Sequence, residues 1–297
     1  MTFLKKLIAQ FPELTLLVKE PMSRHTSFRI GGPATIAMPK NTDELIEVYR
    51  FCIEEKNEPL ILGAGTNILA PDNGLERLVI CTKQLGAVRQ LGNGRLEADS
   101  GALMSRLASF ARDCGLTGLE FAHGIPGTVG GGVYMNAGAY GGEMSHVVVQ
   151  TQAILPDGSV WTVDGVEHCF GYRHSIFEER KAVILKTTVE LRSGDKEQIT
   201  EKMKELALKR RASQPLELPS AGSTFKRPAN GYAAAMIDGA GLKGKGVGDA
   251  VVSEKHAGFV VNLGNATAAD VLATMDMIKS SVYEETGIVL EPEVRIW

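Results

Sequence analysis

Long apolar runs are missing from this chain, so no segment of about 20 apolar residues is available to span a bilayer. The amino-terminal MTFLKKLIAQF carries two lysines but no sustained apolar region and no small-residue cleavage site, and the sequence therefore predicts a cytoplasmic protein without membrane insertion. Cysteine is sparse. Cys52, Cys81, Cys114 and Cys169 stand far apart with no CxxC pair, which argues against a zinc site or a disulfide framework and predicts buried, reduced thiols; no metal is expected. Aromatics make up 6% of the residues and the formal net charge is −3, so neither a basic footprint nor a stacking platform points to nucleic acid. Several catalytic signatures are absent as well. There is no GxxxxGK(S/T) phosphate loop and no G-x-S-x-G nucleophile elbow. LGAGTNIL follows a strand-like segment, but the third Rossmann glycine position is Ile68 and PDNG breaks the chain where a helix should open.

Glycine is what the chain has in excess. It has 33, and eight of them fall among the 19 residues from Gly124 to Gly142, GIPGTVGGGVYMNAGAYGG, a run without a charged residue. Lacking Cβ and tolerating positive φ, such a loop can bring successive N–H groups onto an anion and hold a pyrophosphate without arginines. Tight chain reversal is the alternative use of the same residues.

The remaining patterns read as α+β. Asn41, with Glu44 three residues on, caps a helix to about Asn57 that carries Leu45, Tyr49, Cys52 and Ile53 on one face. PLILGAG, ERLVICT and RLEADS read as strands, and ALMSRLASFARDCG as a helix with Leu103, Leu107, Phe110 and Cys114 on its apolar face. Beyond the glycine run, HVVVQTQAIL, GSVWTV and AVILKTTVEL are β-like. The polar stretch RSGDKEQ then marks a domain boundary, with a helix from Asp195 through Ile199, Met203 and Leu206. The strand-like AGFVVNL follows, then a helix capped at Thr267 with Val271, Met275, Ile278 and Val282 on one face, and a terminal strand GIVLEPEVRIW after Gly287. With 297 residues, two domains are expected.

Five separated motifs, in order along nearly the whole chain, carry a resemblance. They are LGAGTN at 62–67, the run 124–142, GYRHSIF at 171–177, AGSTFKRP at 221–228 and the terminal LEPEVRIW. The first two resemble the FAD-binding half of flavoproteins of the vanillyl-alcohol-oxidase and para-cresol-methylhydroxylase type, and all five together resemble the UDP-N-acetylenolpyruvoylglucosamine reductase family. The resemblance implies a two-subdomain FAD-binding fold, residues 1–193 with subdomains about 1–83 and 84–193, and a C-terminal α+β substrate-binding domain, 194–297. It implies FAD as cofactor, NADPH as reductant and the enolpyruvyl ether of UDP-N-acetylglucosamine as small-molecule substrate, reduced to UDP-N-acetylmuramate for peptidoglycan. A monomer is expected.

By resemblance, FAD is held by Leu62, Gly63, Ala64, Gly65, Thr66 and Asn67 of the first loop. From the second loop come Gly124, Ile125, Pro126, Gly127, Gly130, Asn136, Ala137 and Gly138. Covalent relatives attach flavin through a histidine in the first loop; here Thr66 and Asn67 occupy that region, so non-covalent FAD is expected. Only EERK separates GYRHSIF from the next strand, which matches the short, type II form without a tyrosine-bearing lid.

Reducing an enolpyruvyl ether adds hydride to one vinyl carbon and a proton to the other, so the site needs a charge stabiliser at the carboxylate and an acid. The resemblance assigns Arg173 as the clamp, Ser223 as the proton donor and Glu293 as the group beside the substrate carboxylate. Two facing carboxylates repel, so Glu293 is expected to be protonated and to donate to the developing enolate. Tyr172, Lys226, Arg227 and His256 are the candidates for substrate binding. Read alone, each is an ordinary residue: Arg173 a solvated turn arginine, Ser223 a turn or N-cap serine, Glu293 a charge at a strand end, His256 and Tyr172 core-edge rings, Lys226 and Arg227 exposed bases. An alcohol oxidase or dehydrogenase of the same superfamily is the competing enzyme, and a non-catalytic nucleotide-sugar sensor the competing binding protein.

Overall fold

Asn41 lies at φ −150° and its side-chain oxygen accepts the Glu44 N–H at 2.9 Å, so the helix Thr42–Glu54 begins where the sequence places its cap. Asp43 and Glu44 occupy the first turn, where the helix dipole favours negative charge, and Leu45, Val48, Tyr49 and Cys52 bury one stripe. The computed structural model describes residues 2–297; Met1, first residue of the expected FAD-binding domain, lies outside them. The chain divides into two compact units. One takes the chain up to Leu17, Ile36–Ala64 and Arg77–Lys209; the other takes Val18–Thr35, Gly65–Glu76 and Arg210–Trp297.

The first unit holds two hydrophobic cores. In one, the helix Thr42–Glu54 packs Leu45, Val48 and Cys52 with Leu7, Leu78 and Ile80, beside a parallel arrangement in which Val79–Cys81 pairs with Leu60–Leu62 and with Ile36 and Ala37 of the strand Pro33–Met38. Parallel strands need a long crossover, and between Pro33–Met38 and Leu60–Leu62, which flank Val79–Cys81 on either side, the helix supplies it. The other core lies against an antiparallel sheet ordered Val160–Asp164, Val148–Ile154, Val183–Glu190, Arg95–Asp99, Val88–Gly92. Strand alternation sends neighbouring side chains to opposite faces, and this sheet uses both. Val183, Leu185 and Ile154 serve the first core, whereas Ala182, Ile184 and Ala153 serve the second with Leu107, Val129 and Val133. Each such Leu, Ile or Val stabilises the fold by roughly 1.5–3 kcal/mol relative to exposure.

The helix read from ALMSRLASFARDCG spans Met104–Asp113 and buries Met104, Leu107, Ala108 and Ala111. Leu103, expected on its apolar face, is 48% exposed at the cap, because its backbone bridges to Thr128 instead of entering the helix. Cys52 and Cys81 are buried as expected, and burial pushes the Cys52 thiol up to about 12 and raises Cys81 too. Cys114 is half-buried and Cys169 exposed, so the expectation of four buried thiols fails for these two; Cys169 ends a short 3-10 turn at φ 46°.

The second unit is organised by the helix Ala268–Thr286. Thr267 and Asp270 form a reciprocal capping box, Gly287 at φ 69° terminates the helix, and Val271, Met275, Ile278 and Val282 are buried as the periodicity predicts. They pack with Val260 and Val294 and also with Phe28, Ile30 and Leu69 from early in the chain. Polar bonds explain why those early segments belong here. Asn262 Nδ2 donates to the Phe28 carbonyl at 3.0 Å, and the Asp72 carboxylate accepts the Ala268 and Ala269 N–H groups at 2.8 and 3.2 Å. The terminal GIVLEPEVRIW forms only a short strand, Arg295–Ile296, paired in parallel with Ile68–Leu69. Just before it the chain pairs instead with the segment 224–226, where Phe225 and Pro292 bridge. No helix among the described residues is long and apolar enough to cross a membrane.

Candidate functional site

In the first unit the two glycine-rich loops are seated against each other. Leu62 ends its strand opposite Cys81, and its carbonyl accepts the Thr82 hydroxyl at 3.4 Å. A Cβ added to Gly63 would stand 2.5 Å from Thr128 Oγ1, so nothing larger than glycine fits. Thr128 in turn caps the helix Val129–Tyr134 by accepting the Gly131 N–H at 3.3 Å. The second loop is bonded along the segment 100–104: Gly130 N–H to the Ser100 carbonyl at 2.8 Å, Val129 N–H to Ala102 at 2.7 Å, and Met104 N–H to the Gly127 carbonyl at 3.0 Å. A Cβ on Gly130 would meet Ser100 Cβ at 2.8 Å. Ser100 itself carries a buried hydroxyl with no hydrogen-bond partner among the described residues.

The same unit brings GYRHSIF to the glycine run. Ser175, fully buried, donates its hydroxyl to the Tyr134 carbonyl at 2.6 Å. Asn136, 2% exposed and at φ 46°, donates Nδ2 to the Gly171 carbonyl at 3.0 Å and to Glu143 Oε1 at 3.2 Å, while its oxygen accepts the Ser145 N–H at 2.9 Å. Between these ties, Gly171 and His174 pair across a tight turn on which Tyr172 is 55% exposed and Arg173 adopts φ 55°. A left-handed residue with a Cβ costs roughly 1–2 kcal/mol, so the turn is held by its anchors rather than by local preference. The Arg173 guanidinium carbon stands 5.2 Å from the Tyr172 ring centroid. Beneath the turn His168 is fully buried between the Gly165 carbonyl at 2.8 Å and the Thr151 hydroxyl at 2.9 Å, stacked on Phe170 with centroids 5.0 Å apart. Burial lowers its pKa, which keeps the ring neutral.

The second unit assembles the other motifs mainly through backbone. Gly65, at φ 70°, passes so close to His25 that a Cβ would stand 2.1 Å from its carbonyl oxygen, and the Gly65 carbonyl accepts the Ser27 N–H at 2.9 Å. Asn67 donates Nδ2 to the Glu293 carbonyl at 3.1 Å and accepts the Arg295 N–H at 2.9 Å. The Glu293 N–H reaches the Thr224 carbonyl at 2.9 Å, Lys226 N–H the Glu291 carbonyl at 2.8 Å, and Thr224 N–H the Gly258 carbonyl at 2.9 Å. Ser223 and Glu293, both half-buried, are thereby joined with Asn67 and the His256 segment. His256 Nδ1 accepts the Gly258 N–H at 3.1 Å, and burial lowers its pKa. Lys226 pairs with Glu291 at 3.4 Å, and the exposed Arg227 guanidinium lies 4.1 Å from the Tyr232 ring centroid.

The predicted residues thus fall into two sets. Gly63, the 124–138 loop, Tyr172 and Arg173 are together in the first unit; Gly65, Asn67, Ser223, Lys226, Arg227, His256 and Glu293 are in the second. Sequence reasoning passed over Thr128, Glu143, Ser145 and His168. Glu143 had a faint signal as the first charged residue after the glycine run; the others had none. In the first set the glycines let the two loops pack backbone-close against Thr128 and Ser100, the N–H groups of Val129, Gly130 and Gly131 are bonded within the protein, and the buried Ser100 hydroxyl is the polar group there still able to meet a cofactor.

Residues 33–164 match a family model described as an FAD binding domain, and residues 214–297 match the model of the UDP-N-acetylenolpyruvoylglucosamine reductase C-terminal domain. The UDP-N-acetylenolpyruvoylglucosamine reductase of Caldanaerobacter subterraneus subsp. tengcongensis is 45% identical over 282 residues, 95% of this chain and 93% of its own. That of Clostridium perfringens is 43% identical over 297 residues, 100% of this chain and 97% of its own. The crystal structure of UDP-N-acetylenolpyruvylglucosamine reductase from Thermus caldophilus superimposes with a TM-score of 0.82 at 33% identity, covering 96% of this chain and 99% of that one.

Proposed function

The chain belongs to the UDP-N-acetylenolpyruvoylglucosamine reductase family, and on that premise we propose that it reduces the enolpyruvyl ether of UDP-N-acetylglucosamine to UDP-N-acetylmuramate. It is an FAD-containing oxidoreductase that takes its electrons from NADPH. The observation that carries this is the alignment of 95% of the chain, at 45% identity, with a reductase of that name.

When bound, FAD supplies the hydride that reaches the vinyl carbon. The chain's own residues deal with the charge and the proton. Arg173, permanently cationic and planar, clamps the substrate carboxylate into which negative charge spreads. Glu293 in its protonated form donates a hydrogen bond to the same developing charge, and the Ser223 hydroxyl delivers the proton that completes the reduction. Tyr172, Lys226, Arg227 and His256 are assigned to the remainder of the UDP-sugar. The two loops, 62–67 and 124–138, are assigned to non-covalent FAD. Asn136 would contribute through its backbone, because its side chain is committed to three protein partners.

An FAD-binding region 1–193 and a substrate-binding region 194–297 remain our functional division, supported by matched spans that lie on either side of that boundary. The compact units are interleaved differently. Cytoplasmic location and a monomeric state belong to the same proposal, the latter checked by light scattering on the purified protein. The decisive measurement is anaerobic: reduce the protein with NADPH, add the enolpyruvyl UDP-sugar and follow the oxidised-flavin absorbance. Its return supports the assignment. Failure to return, with rapid reoxidation by oxygen, would favour the alcohol oxidase.

A further inference from the structure

Beyond Asn136 the glycine run does a second job. Gly138–Ala139 and Gly142–Glu143 form a short antiparallel hairpin in which Glu143 faces Gly138. A Cβ on Gly138 would stand 2.8 Å from Glu143 Cβ, and one on Gly142 2.5 Å from the Phe121 ring. Both glycines let the hairpin close tightly enough to lay the Glu143 carboxylate on Asn136.

The chemistry of that contact is directional. Asn136 Nδ2 faces two acceptors, Glu143 Oε1 and the Gly171 carbonyl, while Oδ1 faces a donor, the Ser145 N–H. A flipped amide would set its oxygen against both acceptors, so only one orientation is compatible. Ser145 also donates its hydroxyl to Glu143 Oε1. The Ser145 and Asn136 bonds, with the nearby charges of His146 and Arg173, hold the Glu143 carboxyl below the usual carboxylate range, so it is an acceptor at neutral pH. The Gly171 carbonyl that Asn136 grips opens the turn that returns at His174, with Arg173 at φ 55° between them. We propose that Glu143 is a positioning residue for Arg173: its carboxylate fixes the Asn136 amide that holds the Gly171 carbonyl, and so holds the left-handed turn on which the guanidinium is mounted. The proposal rests on the functional reading above for Arg173's role, and on the geometry alone for the tether.

The test uses the full-length FAD-loaded protein and three variants, Glu143→Ala, Glu143→Gln and Arg173→Ala. Substrate-dependent reoxidation of the NADPH-reduced flavin should slow by at least about tenfold in Glu143→Ala, with the rate of flavin reduction by NADPH within about twofold of wild type. Glu143→Gln, which keeps an acceptor oxygen at the same place, should recover to within about threefold. In the Arg173→Ala background Glu143→Ala should cost no more than about twofold further, because the tether then has nothing to aim. Independently of turnover, amide hydrogen exchange of a peptide covering 169–176 should quicken about tenfold in Glu143→Ala and return in Glu143→Gln.

An additive double variant, or exchange at 169–176 unchanged in Glu143→Ala, overturns the proposal. So does loss of FAD loading in Glu143→Ala when Arg173→Ala loads normally, since the carboxylate would then be building the cofactor cradle. If wild-type reduced flavin is not reoxidised by the enolpyruvyl UDP-sugar, it is the functional reading that fails, and the exchange result still decides the tether.

Discussion

The two units hold their functional residues by different means. In the first, buried side chains do the joining: Thr128, Asn136 and Ser175, none more than 2% exposed, cross-link the glycine run to the helix start and to the Arg173 turn. In the second, Ser223 and Glu293 ride mainly on backbone pairings among Asn67, Thr224, Gly258 and Arg295, with the Asn67 amide on the Glu293 carbonyl, and their own side chains stay half-buried. A side-chain hub fails when one member is cut, because its partners are left buried and unsatisfied. A backbone ladder is indifferent to the side chains it carries. Substitutions of the buried hub residues Thr128, Asn136 and Ser175 should therefore perturb structure and cofactor together, and those of Ser223 and Glu293 should remove chemistry alone.

The sharpest separation is expected at Ser223. Ser223→Ala should slow substrate-dependent flavin reoxidation by about 10²–10⁴-fold, with FAD content and melting temperature near wild type. A variant that keeps half its rate, or that loses FAD, would erase the distinction. Asn136→Ala should instead destabilise the protein by roughly 2–4 kcal/mol in a denaturant titration, since three bonds are lost from a buried amide. A cost under about 1 kcal/mol would mean the hub is not a hub. Gly130→Ala, whose Cβ would stand 2.8 Å from Ser100 Cβ, should weaken FAD binding to the apoprotein by about 10–100-fold, or about 1.4–2.7 kcal/mol, measured by flavin fluorescence quenching.

The smallest effect concerns pH. His168 has a lowered pKa because burial disfavours its charged form. The unfolded chain therefore binds the extra proton first, and the stability His168 contributes is complete above about pH 6.5 and lost as pH falls through its folded value. Melting temperature should decline across that acidic window, and His168→Gln should flatten the decline. An unchanged slope would remove His168 from the list of groups that matter.

What was legible in the sequence is what neighbouring residues decide. Asn41 and Thr267 announce helix starts because cap, acidic first turn and apolar stripe all lie within one or two turns. Leu103 was misread because periodicity cannot tell that a backbone will bridge to Thr128 before the helix opens. Glycine composition pointed to Gly63 and Gly130, whose lack of Cβ the structure requires. The Asn136 tie to Gly171 spans 35 residues and the Asn262 tie to Phe28 spans 234, and neither leaves a local pattern to read. The cysteines failed for the opposite reason: Cys169 carries an apolar residue's expectation to a turn end that happens to face solvent.

The interleaving of the second unit also sets a timetable for synthesis. Phe28, Ile30 and Leu69 leave the ribosome early, yet the core they join includes Val260, Ile278, Val282 and Val294 from the far end of the chain. At about 5–20 residues per second the wait from Leu69 to the last of these is on the order of ten to forty-five seconds, during which that core is incomplete. Asp72 waits too, for the helix end it will cap. A nascent chain stopped short of Ala268 would lack Val271, Met275, Ile278 and Val282 of this core, and a fragment starting at residue 214 would lack Phe28, Ile30 and Leu69, so each piece is missing core residues that the other holds.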